Sequence, residues 1–200
     1  MVYEFCRKLF PPLVDGKINT LEFLEASKGV LSLVSKMGNV FSPLHNDIAR
    51  NIEKVKESYD TNPSLYECIE DLILNKKSEG DEIPLEALLW LKRALHFSLL
   101  FFQRIINDNR KCENLQEHMA FAYSHTLEPY HNWMTRKLFK FFKNLSPKRS
   151  DLFSKIRDAS DEDDERVLYF LDVYFGSLID SIDHISSLLL HHNLDSKVKV

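Results

Sequence analysis

The segment LEALLWLKRALHFSLLFFQRII, from Leu85 to Ile106, is the feature that most constrains the fold of this chain. If the segment is helical, its apolar residues cover more than one side of the helix. One stripe holds Leu88, Leu91, Leu95, Leu99, Phe102 and Ile106, and a second, about 100° or more away, holds Trp90, Ala94, Phe97 and Phe101. Because Lys92 and Arg93 make a membrane span costly, the pattern predicts a helix that other helices cover on both sides.

The composition favours a helical domain with a wide apolar interior. Only 5 of the 200 residues are Gly and 7 are Pro, whereas 44% are hydrophobic and 14 are Phe. These values argue against a turn-rich β protein and against disorder. The length suits a single domain over residues 1–200, and the helix signals predict an all-α, two-layer sandwich of about eight helices.

Start and stop signals place these helices along the chain. Asn19 followed by Glu22 starts the first helix, which ends at Gly38. Ser42 is predicted to cap the second helix, with Pro43 as its first residue. The remaining helices are predicted at 62–73, 84–106, 114–126, 130–142, 150–157 and 162–192, and the loops at 76–84, 107–111 and 158–165.

Charge and cysteine content exclude several classes of protein. The formal net charge of −4 argues against a general nucleic-acid binder. The cysteines, Cys6, Cys68 and Cys112, are odd in number and widely spaced, which favours neither a disulfide framework nor a zinc site. The N-terminal residues also lack the apolar segment of a secretory signal, so we expect a cytosolic protein without a metal site.

No sequence motif points to catalysis. The chain contains no GxSxG, P-loop, GxGxxG or HExxH pattern. The histidines at positions 45, 96, 118, 125 and 184 are interpreted as surface or rim residues. We therefore expect a non-enzymatic protein that needs no cofactor.

Three different polar side chains follow one another along the predicted second helix, in the stretch DIARNIEK. Asp47, Asn51 and Lys54 fall within about 60° of arc, along one edge of the apolar face. Taken alone, this trio is typical of a solvated rim with a contact between Lys54 and Asp47. The alternative is that the three side chains meet a ligand.

Trp90 and His131 each allow two interpretations. A Trp on an apolar helix normally belongs to the core, but its flat face also suits the C–H groups of a sugar ring. His131 begins an apolar stripe in PYHNWMTRKLF, where a lone histidine is more often a satisfied core residue than a ligand group. Its ring could instead donate a hydrogen bond to a buried carbonyl group.

Taken together, three segments resemble the glycolipid transfer protein family. They are FSPLHNDIARNIEKVKESYDTNP, ALLWLKRAL and YHNWMTRKLF, in the order and at about the spacings of that family. The resemblance runs from about Leu21 to the C-terminus. It implies a helical sandwich that carries one glycosphingolipid, such as a glucosyl-, galactosyl- or lactosylceramide, between membranes without hydrolysing it.

The resemblance also implies a role for each matching residue. Asp47 matches the acid that bonds sugar hydroxyls and the ceramide amide N–H, and Asn51 and Lys54 match two further sugar contacts. Trp90 matches the residue that stacks under the first sugar. His131 matches the group that bonds the ceramide carbonyl.

A ceramide needs a long apolar cavity, because each methylene withdrawn from a bilayer loses about 0.8 kcal/mol unless it enters an equally apolar site. Core packing predicts the same residue types as a cavity lining. The candidate lining residues are Val34, Phe97, Phe101, Leu138, Phe139 and Phe142, together with Leu13 and Phe175.

The headgroup class follows from the same resemblance. Relatives that carry a phosphorylated ceramide place basic residues where this chain has Asn51 and Trp90, because phosphate favours Lys or Arg. These positions suit a neutral sugar. Arg93 is a second cation near Lys54, so a ceramide-1-phosphate type of carrier remains an alternative.

An aromatic and basic strip follows His131 along the chain. Its residues are Trp133, Lys137, Lys140, Phe141 and Lys143, with Lys148 and Arg149 beyond them. The strip is either a solvated helix face or a reversible membrane-docking surface. Asn144 and Lys148 stand where the resemblance leads us to expect tyrosines, so docking should depend more on anionic lipid. Val198 likewise replaces a tyrosine near the C-terminus, which alters the contact expected there.

Two further functions stay open at this stage. The chain could sense a glycolipid and act through a protein partner, or it could be a helical interaction module that binds no lipid. For the transfer function we expect a monomer that meets membranes transiently and binds no nucleic acid.

Overall fold

A computed structural model describes residues 3–74, 83–157 and 163–195. These residues form eight α-helices and three short 3-10 helices, at 4–6, 39–41 and 128–130, and they contain no β-strand. The α-helices are α1 (Thr20–Lys36), α2 (Ser42–Thr61), α3 (Ile69–Leu74), α4 (Ile83–Ile106), α5 (Gln116–Thr126), α6 (Trp133–Asn144), α7 (Arg149–Ile156) and α8 (Asp164–His191). The all-α prediction is confirmed.

Helix α4 lies at the centre of the fold and is covered on more than one side, as its sequence predicts. It packs against α2, α5 and α8. Leu91 and Leu95 of its first stripe are buried, and so are Phe97 and Phe101 of its second stripe. None of the helices described is long and apolar enough to cross a membrane.

Side-chain caps fix several helix ends. Asn19 Oδ1 accepts a hydrogen bond from Glu22 N at 3.0 Å, which confirms the predicted start of α1. The chain leaves α1 through Gly38, whose φ of 107° favours glycine. Asn132 caps α6 by accepting from the backbone N–H groups of Met134 and Thr135.

Two predicted helix starts are wrong, each because a short turn takes the residues that signalled the start. Ser42 is the first residue of α2 rather than its cap, since its hydroxyl donates to Asn39 O at 2.6 Å within the preceding 3-10 turn. The third helix begins at Ile69 rather than at residue 62, because Asn62 Oδ1 accepts from Leu65 N at 3.2 Å and forms a local turn. Residues 75–82 and 158–162, which hold most of two predicted loops, lie outside the described residues.

Buried carboxylates hold two of the connections. Asp108 accepts from Cys112 N at 2.8 Å and contacts His118 Nε2 at 3.3 Å. The hydrogen bond from Cys112 is the main reason that the pKa of Asp108 falls to about 2, despite its burial. His118 itself is 3% exposed, so the prediction that it lies at the surface or rim is wrong. Glu70 similarly accepts from Ile18 N and contacts His184 Nε2 at 2.8 Å.

Gly29 allows α1 to approach α8 and the N-terminal segment closely. A Cβ atom at this position would overlap Phe5 O and would lie 2.6 Å from Tyr174 Oη. Tyr174 is fully buried and donates its hydroxyl to Ala26 O at 2.6 Å. Neither neighbour has room to move, since one is backbone and the other is a core side chain.

We expect Gly29→Ala to lower the free energy of unfolding by about 1–3 kcal/mol, because overpacking a close helix contact forces the neighbours apart. Gly176→Ala is the matched control, since it also lies inside a helix but its Cβ would meet open space. There the higher helix propensity of Ala should raise stability by up to about 1 kcal/mol. Urea unfolding measures both, and equal stability of the Gly29 variant and the wild type would contradict the packing described here.

Candidate functional site

An apolar cavity of about 390 Å³ opens beside α4, between α2 and α6. Its volume lies within the usual range of sites for small molecules, about 300–1,000 Å³. Leu138 lines the cavity yet is half-exposed, so the cavity is open to solvent along α6. The lining consists of Val40, Phe41, Pro43, Leu44, Asp47, Trp90, Ala94, Phe97, Leu127, His131, Thr135, Leu138, Phe139 and Phe142.

Three of the five predicted headgroup residues line this cavity. Asp47 comes from α2, Trp90 from α4, and His131 from the turn before α6. The structure thus brings together residues that are far apart in the sequence. Asn51 lies one turn beyond Asp47 on α2, and Lys54 follows on the exposed surface, and neither lines the cavity.

Asn51 carries an unused hydrogen-bond donor. The side chain is 6% exposed, and its Nδ2 atom has no hydrogen-bond partner among the described residues. A buried polar group in this state costs about 1–3 kcal/mol. The group can therefore gain a partner if a ligand reaches this end of α2.

Asp47 is a half-buried carboxylate at the edge of the cavity. Burial raises its pKa, and the positive charges of Arg50 and Lys54 counteract part of that rise. A carboxylate in such a place accepts hydrogen bonds but donates none when ionised. It is suited to a ligand that presents hydroxyl or N–H groups.

Trp90 is held by a charged and an aromatic neighbour. The ring of His131 stacks beside it, with centroids 5.9 Å apart and an interplanar angle of 20°. The Arg93 guanidinium carbon lies 4.8 Å from the centroid of the indole. These contacts orient the indole at the cavity wall.

The ring of His131 is held by Tyr123, and its backbone is held by Arg136. Tyr123 Oη lies 3.0 Å from His131 Nδ1, and Arg136 donates Nε to His131 O at 3.0 Å. The hydroxyl of Tyr123 has no other partner among the described residues. Its proton is therefore hydrogen-bonded only if the hydroxyl donates to His131 Nδ1. The proton of the neutral imidazole then lies on Nε2.

Both groups keep these protonation states at neutral pH. Burial, and then the charges of Arg136 and Arg93, lower the pKa of His131 to about 4. Burial, aided by the charge of Glu128, raises the pKa of Tyr123 to about 12. At pH 7 the site therefore offers one hydrogen-bond donor from a neutral imidazole.

The apolar part of the cavity contains most of the predicted lining. Phe97, Leu138, Phe139 and Phe142 line it, and Phe139 stacks on Tyr123 with ring centroids 3.5 Å apart. Val34 and Phe101 do not line it, and they are buried in the core, as is Phe175. Leu13 packs on the core from outside.

Sequence reasoning missed the wall formed by Val40, Phe41 and Leu44. These apolar residues lie just before and within the first turn of α2, on the side of Asp47. Leu44 is three residues before Asp47, and this spacing places the two on the same face of a helix. That spacing was the signal that could have found this wall.

Helix α6 forms an exposed apolar and basic surface, which we call the α6 surface, made of Trp133, Met134, Lys137, Leu138, Lys140, Phe141 and Lys143. None of the residues of α6 is fully buried. Trp133 is 65% exposed and Phe141 is 60% exposed. The Lys137 ammonium lies 5.0 Å from the Trp133 ring centroid.

Arg149 does not belong to this surface, because it is buried against Phe153. Val198 lies outside the described residues.

The sequence and the fold are similar to those of known lipid carriers. The profile of the family described as "Glycolipid transfer protein (GLTP)" matches residues 18–158. The chain is 30% identical to the glycolipid transfer protein of Danio rerio over 195 residues, which cover 93% of each chain.

Two solved structures share the whole fold. The GLTP-fold of FAPP2, described as selecting simple glycosphingolipids, has a TM-score of 0.85 and 26% identity, over 100% of this chain and 96% of that chain. The apo-form of mouse ceramide-1-phosphate transfer protein has a TM-score of 0.83 over 96% of this chain and 94% of that chain. Its identity is only 19%, so this likeness shows the fold alone.

We expect the ring of His131 to titrate near pH 4 in the folded protein, against an ordinary value of 6.5. Between these pH values the unfolded chain binds a proton that the folded chain does not, so this histidine lowers the stability of the fold as the pH falls. NMR of the ring nitrogens measures both the titration and the tautomer. Tyr123→Phe should produce a mixture of tautomers, whereas Tyr169→Phe, at an exposed site, should not. A titration near pH 6.5, or an unchanged tautomer in Tyr123→Phe, would contradict this assignment.

Proposed function

Because this chain belongs to the glycolipid transfer protein family, whose members transfer lipids without reacting with them, we propose that it transfers glycosphingolipids between membranes. The observation that carries this proposal is that Asp47, Trp90 and His131, from three separate parts of the chain, all line one apolar cavity. Support also comes from the similarity of this chain to the glycolipid transfer protein of Danio rerio and to the GLTP-fold of FAPP2.

A sugar headgroup suits the polar residues that line the cavity. The carboxylate of Asp47 accepts hydrogen bonds from hydroxyl groups, and the indole of Trp90 offers a flat apolar face to the C–H groups of the ring. Asn51 and Lys54 continue the polar edge of α2 away from the cavity, where the outer hydroxyls of the sugar would extend. The unused Nδ2 donor of Asn51 gains a partner in this arrangement.

The amide of the ceramide suits Asp47 and His131. Its N–H would donate to Asp47, and its carbonyl would accept from Nε2 of His131 in the tautomer that the contact with Tyr123 favours. Pairing both ends of the amide matters, because an orphaned buried polar group costs about 1–3 kcal/mol. The acyl chain and the sphingoid chain of the ceramide then enter the apolar part of the cavity, along Phe97 and Phe139.

The charges near the cavity favour a neutral headgroup over a phosphate. Asp47 places a carboxylate at the cavity, which repels an anion. Arg136 is engaged by the carbonyls of Glu128 and His131, and Arg93 is paired with Asp195. A ceramide-1-phosphate carrier, the second candidate, has the support of the shared fold alone.

The α6 surface is the proposed docking site on membranes. Trp133 and Phe141 would lie at the level of the lipid headgroups, with the lysines beside anionic lipid. Leu138 belongs both to this surface and to the cavity lining, so a lipid could pass directly between the membrane and the cavity. We further propose a single, monomeric domain in the cytosol that meets membranes transiently and binds no nucleic acid.

We expect Asp47→Val and Trp90→Ala each to reduce transfer at least tenfold, because the first removes the acceptor for the amide and the sugar, and the second removes the stacking face. Transfer of fluorescent galactosylceramide between vesicles measures this, and circular dichroism checks the fold. Glu57→Val, on the exposed face of α2, is a matched control that should transfer normally. Full activity of both site variants would overturn the site assignment. Binding without transfer would support a glycolipid sensor that acts through a partner. The absence of both binding and transfer would support an interaction module that binds no lipid.

We expect replacement of Lys137, Lys140 and Lys143 by Gln to weaken binding to vesicles that contain anionic lipid at least tenfold, since each lysine near such a surface contributes about 1 kcal/mol. Vesicle co-sedimentation at low and high salt measures it. The salt dependence should largely disappear in this triple variant. Lys8→Gln, on the N-terminal segment, is the control and should bind normally. Equal binding of the triple variant and the wild type at low salt would rule out docking through the α6 surface.

A further inference from the structure

Arg93 and Asp195 form a part-buried ion pair beside the indole of Trp90, and we infer that Asp195 determines headgroup selectivity by neutralising the Arg93 guanidinium. A phosphate would have to compete with this carboxylate for the cation, whereas an uncharged sugar would not, so the cavity favours the sugar. This inference rests on the proposed function and names a residue that decides between its two candidate ligands.

The geometry of the pair engages both oxygens of the carboxylate. Arg93 Nη2 donates to Asp195 Oδ1 at 2.8 Å, and Tyr130 Oη donates to Asp195 Oδ2 at 3.0 Å. The Arg93 guanidinium carbon also lies 3.5 Å from the Tyr130 ring centroid. The Arg93 side chain is 3% exposed and that of Asp195 is 28% exposed, so the contact is largely removed from solvent.

The end of α8 places Asp195 at this position. Asn193 has a φ of 55°, in the left-handed region that Asn tolerates well. Leu194 N then donates back to Leu189 O at 2.8 Å, which closes the helix end, and Leu194 packs on the core. The turn therefore presents the next residue, Asp195, to the start of the segment that leads into α6, at Tyr130.

Asp195 is the counter-charge of Arg93, and a second buried cation lies nearby. A buried guanidinium needs a counter-charge, because an unpaired buried ion is expensive. Lys92 is buried nearby and adds a second positive charge. Burial acts to raise the pKa of Asp195, but the hydrogen bond from Arg93 and the charge of Lys92 outweigh it and lower that pKa. Asp195 is thus the ionised partner of Arg93, and the nearby charge of Lys92 favours its ionised form.

A phosphate on a ceramide would compete for the same cation. Guanidinium groups bind carboxylate and phosphate with the same fork of N–H donors. A phosphate next to Trp90 would be repelled by the carboxylate of Asp195, with which it competes for this cation, and it would also approach the carboxylate of Asp47. A neutral sugar meets neither cost. The carboxylate of Asp195, just beyond the end of α8, therefore determines which headgroup charge the cavity prefers.

The test compares transfer of fluorescent galactosylceramide and fluorescent ceramide-1-phosphate by the full chain. We expect Asp195→Asn to raise the ratio of ceramide-1-phosphate to galactosylceramide transfer about tenfold or more, because it frees a charge-assisted bond for phosphate. Asp195→Glu keeps the charge and should keep the wild-type ratio. Arg93→Gln in the Asp195→Asn background should remove the gain, which shows that the phosphate uses this cation.

The outcomes separate this inference from the proposed function. Galactosylceramide transfer by the wild type tests the function, and the change in the ratio tests the role of Asp195. A folded Asp195→Asn variant with an unchanged ratio would overturn the inference while leaving the function intact. If Asp195→Asn does not fold, Lys92→Met in the Asp195→Asn background takes its place, because it removes one buried cation together with the carboxylate and so keeps the net buried charge. An unchanged ratio in this double variant would then overturn the inference.

Discussion

Helix α4 has to be covered on both sides, because apolar side chains occupy two of its stripes and the exposure of either stripe to water is costly. Helices α2, α5 and α8 pack around it, and the cavity lies where α4 faces α2 and α6. Helix α6 contributes no fully buried residue. The site therefore lies between the central helix and a helix that is at least partly exposed along its whole length.

The chemistry of the site follows from this arrangement. Asp47 supplies an acceptor, Trp90 a flat apolar face, and His131 a ring nitrogen that donates in the tautomer favoured by the hydrogen bond with Tyr123. Because each comes from a different part of the chain, the three groups converge only when α2, α4 and the start of α6 are packed together. A lipid with a polar head and two apolar chains matches a cavity that is lined both by these three groups and by apolar aromatic side chains.

Local signals in the sequence predict the helices well and the packing less well. Asn19 caps α1 as predicted because a side-chain cap depends on neighbouring residues only. The helix start predicted at Asn62 is wrong, because the side chain of Asn62 makes a turn with Leu65. Phe97 and Phe101 belong to the same stripe, yet only Phe97 reaches the cavity, and residue type alone cannot distinguish core from lining. The pair of Arg93 and Asp195 joins residues 102 positions apart, which no local pattern reveals.

A crystal structure of the protein with bound galactosylceramide tests the central claim most directly. The account predicts the sugar ring against the indole of Trp90, the ceramide amide between Asp47 and Nε2 of His131, and the acyl and sphingoid chains along Phe97 and Phe139. A lipid bound elsewhere on the protein, or a sugar that contacts neither Trp90 nor Asp47, would contradict it.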